Sequence, residues 1–200
     1  MDILFTGFEP FGGEKINPSW KAVAMLPDEI AGARIHKLCL PVEYQGAARM
    51  AQAEFARILP NAVVMVGQAG GRSGISIERV ALNLDDATIT DNAGVMLCDS
   101  PVRQGAPSAY FSTLPIKALV KAITGAGINS SISNSAGTYV CNHLMYSMLD
   151  HISVRMLDVR AGFVHVPFVP EQCIDKPDMP SMELGIMVNA LRIIARTLAE

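Results

Sequence analysis

AVVMVG, residues 62–67, is apolar or small at every position, with three valines in six residues. The run does not alternate, as a strand with one wet face does. An unbroken apolar strand is buried on both sides, and that requires a parallel-type sheet covered by helices front and back. The flanks agree. Upstream, YQGAARMAQAEFARIL (44–59) places Ala48, Ala51, Phe55 and Leu59 on one stripe and stops at Pro60-Asn61, which reads as a helix. Further back, ARIHKLCLPV (33–42) is a second strand and DILFTGF (2–8) a first. Between them Asn17-Pro18 reads as an N-cap followed by proline at the first helical position, opening a helix through SWKAVAML that ends before Pro27.

Downstream, ISIERVALNL (75–84) is extended and residues 85–113 are rich in turn residues, so loops are expected there. LPIKALVKAITGAG (114–127) is a helix, SSISNS a brief strand, and a further helix begins near Cys141. AGFVHVPFV (161–169) is another strand. Ser181 is then expected to cap a last helix with Leu184, Val188, Leu191, Ala195 and Leu198 on one face. Strands alternating with helices predict an α/β fold, a three-layer α/β/α sandwich around a twisted, largely parallel mixed sheet. No repeat, low-complexity tract or linker interrupts it, so residues 1–200 read as one domain.

Composition narrows the function. Half of the residues are hydrophobic and 18% charged, with a formal net charge of −3. That leaves no basic footprint for nucleic acid. No apolar run approaches the ~20 residues of a membrane helix, and MDILFTGF lacks the pattern of a signal peptide, so a reducing cytoplasm is expected. Cys39, Cys98, Cys141 and Cys173 are scattered, with no CxxC pair to suggest zinc or dithiol chemistry. GQAGGRSG (67–74) follows a strand but precedes a β-rich segment, which is wrong for a dinucleotide fingerprint.

Cys141 stands out because Gly137 breaks the chain before it and Leu144, Met145, Met148 and Leu149 follow at helical spacing. A thiol in the first turn of a helix faces unpaired N–H groups and the positive end of the dipole, which favours thiolate. The bland alternative is a small buried core residue, the reading kept for Cys39 and Cys98. A nucleophile needs a base. His143 lies only two residues on, about 200° around a helix, and so points away from the sulfur. His151 sits near the same helix's end, where a cation is comfortable, and His36 lies in an early strand. His165, near the C-terminal end of an apolar strand, is where open sheets place ligands and is the candidate base. Glu78 is a charge in an apolar stretch and the candidate orienting acid, or else a solvated partner of Arg79. Asp85, Asp86 and Asp91 are weaker candidates. Phe8 and Phe11, in the turn after the first strand, offer two rings to clasp a small flat ligand, or simply anchor a loop.

Four ordered blocks carry a resemblance: TGFEPFGG…NPSW, GQAGGR…ERVALN, SAGTYVCNHLMY and RAGFVHVPFVPEQ, supported by PSMELGIMVNALR. Together they resemble the type I pyroglutamyl peptidases (pyrrolidone-carboxylate peptidases), a family of cytosolic cysteine peptidases, over essentially the whole chain. The resemblance implies removal of N-terminal pyroglutamate (5-oxoproline) from peptides, a homotetramer, and neither metal nor cofactor. It matches Cys141 to the nucleophile, His165 to the base and Glu78 to the orienting acid. Phe8 and Phe11 match the aromatic pair on the lactam ring, and Asn17 and Gln68 match polar positions near its carbonyl and N–H. Tyr139 and Val140 match the approach to Cys141, where many relatives have Phe at the position of Tyr139. One departure is Thr88, where members of the family typically carry Arg near the catalytic region; Arg72 and Arg79 are the cations that could compensate. Two alternatives stand beside this reading: a nucleoside phosphorylase-like enzyme on a similar fold, and a pyroglutamate-binding homologue with weakened turnover.

Overall fold

The computed structural model describes residues 1–200. The central sheet is built from β1 (Asp2–Phe8), β2 (Glu29–Ile30), β3 (Ala33–Leu40), β4 (Ala62–Gln68), β5 (Ile75–Glu78), β8 (Ser130–Ser133) and β9 (Arg160–Val166). Their spatial order is β2-β3-β1-β4-β9-β5-β8. The four central strands β3, β1, β4 and β9 run parallel, while β5 is antiparallel to β9 and β2 to β3. AVVMVG is the heart of β4, paired on both edges and buried at every position.

Strand side chains alternate between the two faces, and each face has its own core. One side buries Ile3, Phe5, Val64, Val66, Ile77 and Val164 under α1 (Pro18–Ala24), α3 (Ile116–Gly125) and α5 (Leu184–Ala199). The other buries Leu4, Val63, Met65 and Phe163 under α2 (Tyr44–Ile58) and α4 (Val140–Val154), which pack against each other. Burying each such side chain is worth about 1.5–3 kcal/mol relative to leaving it exposed.

Several expectations shift. The extended segment 75–84 is two strands: after β5 the chain turns at Arg79 into β6 (Val80–Leu82), which leaves the main sheet and pairs with β7 (Ala109–Phe111). Arg79 marks the change, its N–H donating to Ser133 O (2.8 Å) and its O accepting from Ser112 N–H (2.8 Å). The expected loop region 85–113 therefore holds one short strand. Prolines trim other elements: Pro41 and Pro167 follow the ends of β3 and β9, and Pro27 comes two residues after the C-cap of α1. Ser181 does not cap α5. Glu183 occupies the N-cap without a side-chain bond, and Ser181 forms a bridge with Phe168, pinned by Met182 N–H to Phe168 O at 2.8 Å. Asn17 does cap α1, its Oδ1 accepting from Ser19 N–H at 3.1 Å. Such a cap is worth ~1 kcal/mol.

Candidate active site

The parallel strands all end at one rim, and the sequence-predicted residues collect there. Phe8 ends β1, Gln68 ends β4, and His165 is the penultimate residue of β9. Gly137, with φ +80°, turns the chain into α4, whose second residue is Cys141. The register then places the sulfur against the strand partner of His165. His165 pairs with Gly67, and a Cβ on Gly67 would lie 2.9 Å from Cys141 Sγ and 2.7 Å from the Phe163 ring. Glycine at 67 is what lets the thiol settle against the strand neighbour of His165.

On the far side β5 runs antiparallel, Ser76 opposite His165, so Glu78 emerges on the same sheet face as the imidazole two residues on. His165 Nδ1 and Glu78 Oε1 are 2.7 Å apart, both residues almost fully buried. A carboxylate only accepts, so Nδ1 carries the proton and Nε2 is left as the basic nitrogen. Burial pushes the Glu78 carboxyl up, but the His165 hydrogen bond and the charges of His165 and Arg72 outweigh it and leave its pKa below the ordinary value. His165 moves down, chiefly because burial disfavours the imidazolium, against the pull of Glu78.

Cys141 departs from expectation. Burial and the Glu78 charge push its thiol up to about 12, with only Arg72 and its own backbone N–H acting to lower it. The resting pair is therefore neutral thiol beside neutral imidazole, because desolvation outweighs the helix terminus. The first intrahelical bond of α4 is His143 N–H to Tyr139 O, so the N–H groups of residues 140–142 have no helical partner.

A small recess lies beside the sulfur, lined by Phe8, Phe11, Asn17, Val42, Gln68, Tyr139, Val140 and Cys141, with a cavity of ≈ 10 Å³. That is about the room of one water, far below the ~300 Å³ where drug-sized sites begin. Phe8 forms its floor against Phe163 (centroids 6.5 Å), and Phe11 its rim against Tyr139 (6.2 Å). Asn17 lines the pocket, but its amide is engaged: Oδ1 accepts from Ser19 and Nδ2 donates to Glu9 O at 2.9 Å.

The sequence model of the family described as pyroglutamyl peptidase matches residues 1–200. The chain belongs to the pyroglutamyl peptidase family. It is 52% identical to the pyrrolidone-carboxylate peptidase of Thermococcus onnurineus, covering 98% of both chains. It is 50% identical to that of Thermococcus kodakarensis, over 100% of this chain and 97% of the relative. The crystal structure of Bacillus amyloliquefaciens pyroglutamyl peptidase I superposes with a TM-score of 0.95 at 42% identity, over 99% of this chain and 96% of that one. A mutant pyrrolidone carboxyl peptidase from the hyperthermophile Pyrococcus furiosus gives 0.94 at 44%, over 98% and 96%. The structural class, a mixed, mostly parallel α/β sheet, is shared with these enzymes.

Within this pyroglutamyl peptidase fold, Arg72 is the cation beside the acid: its Nη1 lies 2.6 Å from Glu78 Oε1. Arg79 is turned away onto Asn134 Oδ1 (2.8 Å). Thr88 is exposed, in a loop strapped to the chain just before Cys141 by Asp86 N–H to Thr138 O (2.9 Å) and Tyr139 OH to Thr90 O (2.9 Å). The hydroxyl of Tyr139 thus has work that a phenylalanine could not do. His143 is buried against Asp85 (Nδ1 to Oδ2 2.7 Å), a structural pair that pins the same loop to α4. His151 packs edge-on to Phe55 (5.5 Å), and burial, with Arg155 beside it, lowers its pKa instead of favouring the cation expected at a helix end. Sequence reasoning missed Gln172, whose amide bonds Gln68 at 2.9 Å; it stands in the quoted PFVPEQ block, but nothing in its spacing pointed to the pocket.

Proposed function

We propose that this peptidase removes N-terminal pyroglutamate from peptides through a Cys141–His165–Glu78 acyl-enzyme cycle. The observation that carries the reading is one rim where a buried Glu78–His165 pair, the Cys141 sulfur and a small aromatic-lined pocket meet. The lactam enters between Phe8 and Phe11, with Asn17, Gln68, Tyr139 and Val140 around it. Its uncharged nitrogen suits an apolar clasp, and so tight a recess favours a single small ring, seated as the Phe11 rim gives way, over a nucleoside.

Sulfur attacks the carbonyl of the scissile bond as the thiol proton passes to His165 Nε2. Free N–H groups at the start of α4 take the oxyanion, a device worth ~3–4 kcal/mol per donor in a measured serine-protease case. The imidazolium then protonates the leaving amine as the C–N bond breaks. Water, deprotonated by His165, next attacks the thioester, releasing pyroglutamate and restoring the thiol. Glu78 keeps the imidazole in the one useful tautomer.

A fluorogenic pyroglutamyl amide tests the scheme. Turnover is expected in the parent chain, and its loss in Cys141→Ala and after iodoacetamide. Equal hydrolysis by Cys141→Ala overturns the assignment of the nucleophile. Binding of pyroglutamate without turnover would instead support a weakened homologue.

The finer picture, a cytoplasmic homotetramer, is part of this proposal. Four free cysteines, no helix long and apolar enough to cross a membrane, and exposed Phe111, Met156 and Ile174 support it. Sedimentation at micromolar concentration gives the assembly directly.

A further inference from the structure

We propose that Gln172 is a specificity-positioning residue: it holds the Gln68 amide so that the pocket receives a donor and not an acceptor. Gln172 lies in the single 3-10 turn Pro170–Gln172 and is buried. Its own orientation is fixed from two sides. The Val169 backbone N–H, which can only donate, reaches Gln172 Oε1 at 3.2 Å. On the other side two groups that can only accept, the Glu14 carboxylate (3.1 Å) and the Ile16 carbonyl (3.4 Å), face Gln172 Nε2. A flipped amide would set N–H against N–H and oxygen against carboxylate, so only the observed arrangement sets donor against acceptor on both sides, its two N–H groups shared among the acceptors. Lys176 pairs with Glu14 and keeps that carboxylate in place.

The consequence passes to the pocket. Gln172 Nε2 donates to Gln68 at 2.9 Å, so the Gln68 atom facing it is Oε1. Gln68 Nε2 is then the free end, on a residue that lines the pocket beside Cys141. Once a bound ring covers this donor, leaving it without a partner is costly, and a ring carbonyl satisfies it where a ring methylene does not. On the pyroglutamyl reading, this is the group that tells a lactam from a plain pyrrolidine ring, and Gln172 sets its polarity without touching substrate.

The test compares parent, Gln172→Met and Gln172→Glu for KM and kcat on a pyroglutamyl amide and for inhibition by 2-pyrrolidone. Met removes the amide; Glu still accepts from Val169 but cannot donate to Gln68. Both are expected to raise KM and the 2-pyrrolidone inhibition constant about tenfold, the weight of one buried hydrogen bond. The kcat is expected to stay within about twofold and the iodoacetamide rate of Cys141 to hold, since the triad is untouched. Unchanged KM and inhibition constant in both variants overturn the proposal, as does a fall in kcat alone. Should loss of Gln172 unfold the chain, Gln68→Glu keeps an acceptor for Gln172 and replaces only the pocket-facing N–H. It carries the same expected loss of lactam affinity, and unaltered affinity there refutes the donor assignment. A parent chain inactive on the amide speaks against the functional reading; calorimetric binding of 2-pyrrolidone to parent and variants still tests the orientation.

Discussion

Glu78 is fully buried and its Oε1 takes two bonds, from His165 at 2.7 Å and Arg72 at 2.6 Å, while Oε2 has none. Arg72 is the only permanent cation on that carboxylate, and its charge also acts on Cys141 and His165. Removing one partner of a buried pair leaves an uncompensated charge, at a cost of about 3 kcal/mol. Arg72→Met is therefore expected to destabilise the fold by roughly that much and to raise the pKa of Glu78, Cys141 and His165 together. The acid limb of kcat/KM then moves to higher pH, with Arg72→Lys recovering part of the shift; an unmoved limb would mean that Arg72 is only structural. Glu78→Gln is expected to be far worse in rate, approaching the ~10⁴-fold loss known when a triad acid is amidated and the tautomer is lost. The thiol offers a separate check. With Cys141 pushed up to about 12, its alkylation rate should keep climbing past pH 9, whereas a plateau near neutrality would reveal a resting thiolate instead.

At the level of elements, the rim works because Gly67 has no side chain. Gly67→Ala puts a methyl within 2.9 Å of the sulfur and 2.7 Å of the Phe163 ring, closer than real contacts allow. Cys141, Phe163 and the β4–β9 pairing at His165 cannot all stay in place. A loss of at least 10²-fold in kcat/KM is expected, since misplacement by about 1 Å can cost that much. Kinetics on a variant shown folded by circular dichroism measure it, and near-parent activity would mean that α4 can shift freely. This is also where the sequence was most and least legible. The run 62–67, the stripe 44–59 and the Asn17-Pro18 start were readable because burial on two faces, helical period and capping are local patterns. The break at Arg79 and the Phe168–Ser181 bridge were not, because they follow from where β8 ends and where Phe168 passes. Cys141, His165 and Glu78 were singled out by residue type and chain context, and the fold gathers them at one rim. Arg72 and Gln172 act through partners that only the folded chain brings near, six residues away for Glu78 and 104 for Gln68.

On the scale of the whole molecule, burying this machinery sets limits on the pH range of the fold. His165 has its pKa lowered below the ordinary 6.5 by burial, so below that pH the unfolded chain takes up a proton that the folded one resists. Stability from this group is complete above pH 6.5 and is lost as pH falls towards the folded value. Glu78, lowered from 4.5, adds a second loss beginning below that pH, when the unfolded carboxyl protonates first. Cys141 works in the opposite direction: its thiol is raised from 9.0 to about 12, so above pH 9 the unfolded chain releases a proton that the folded one keeps, and stability falls as pH rises. The three groups together predict a stability plateau between about pH 6.5 and 9 with a two-stage acid edge. Urea midpoints measured from pH 4 to 10.5 should show this, and Cys141→Ala should flatten the alkaline edge without moving the acid one. If the alanine variant instead follows the parent at every pH, the Cys141 thiol is not what limits the fold in alkali.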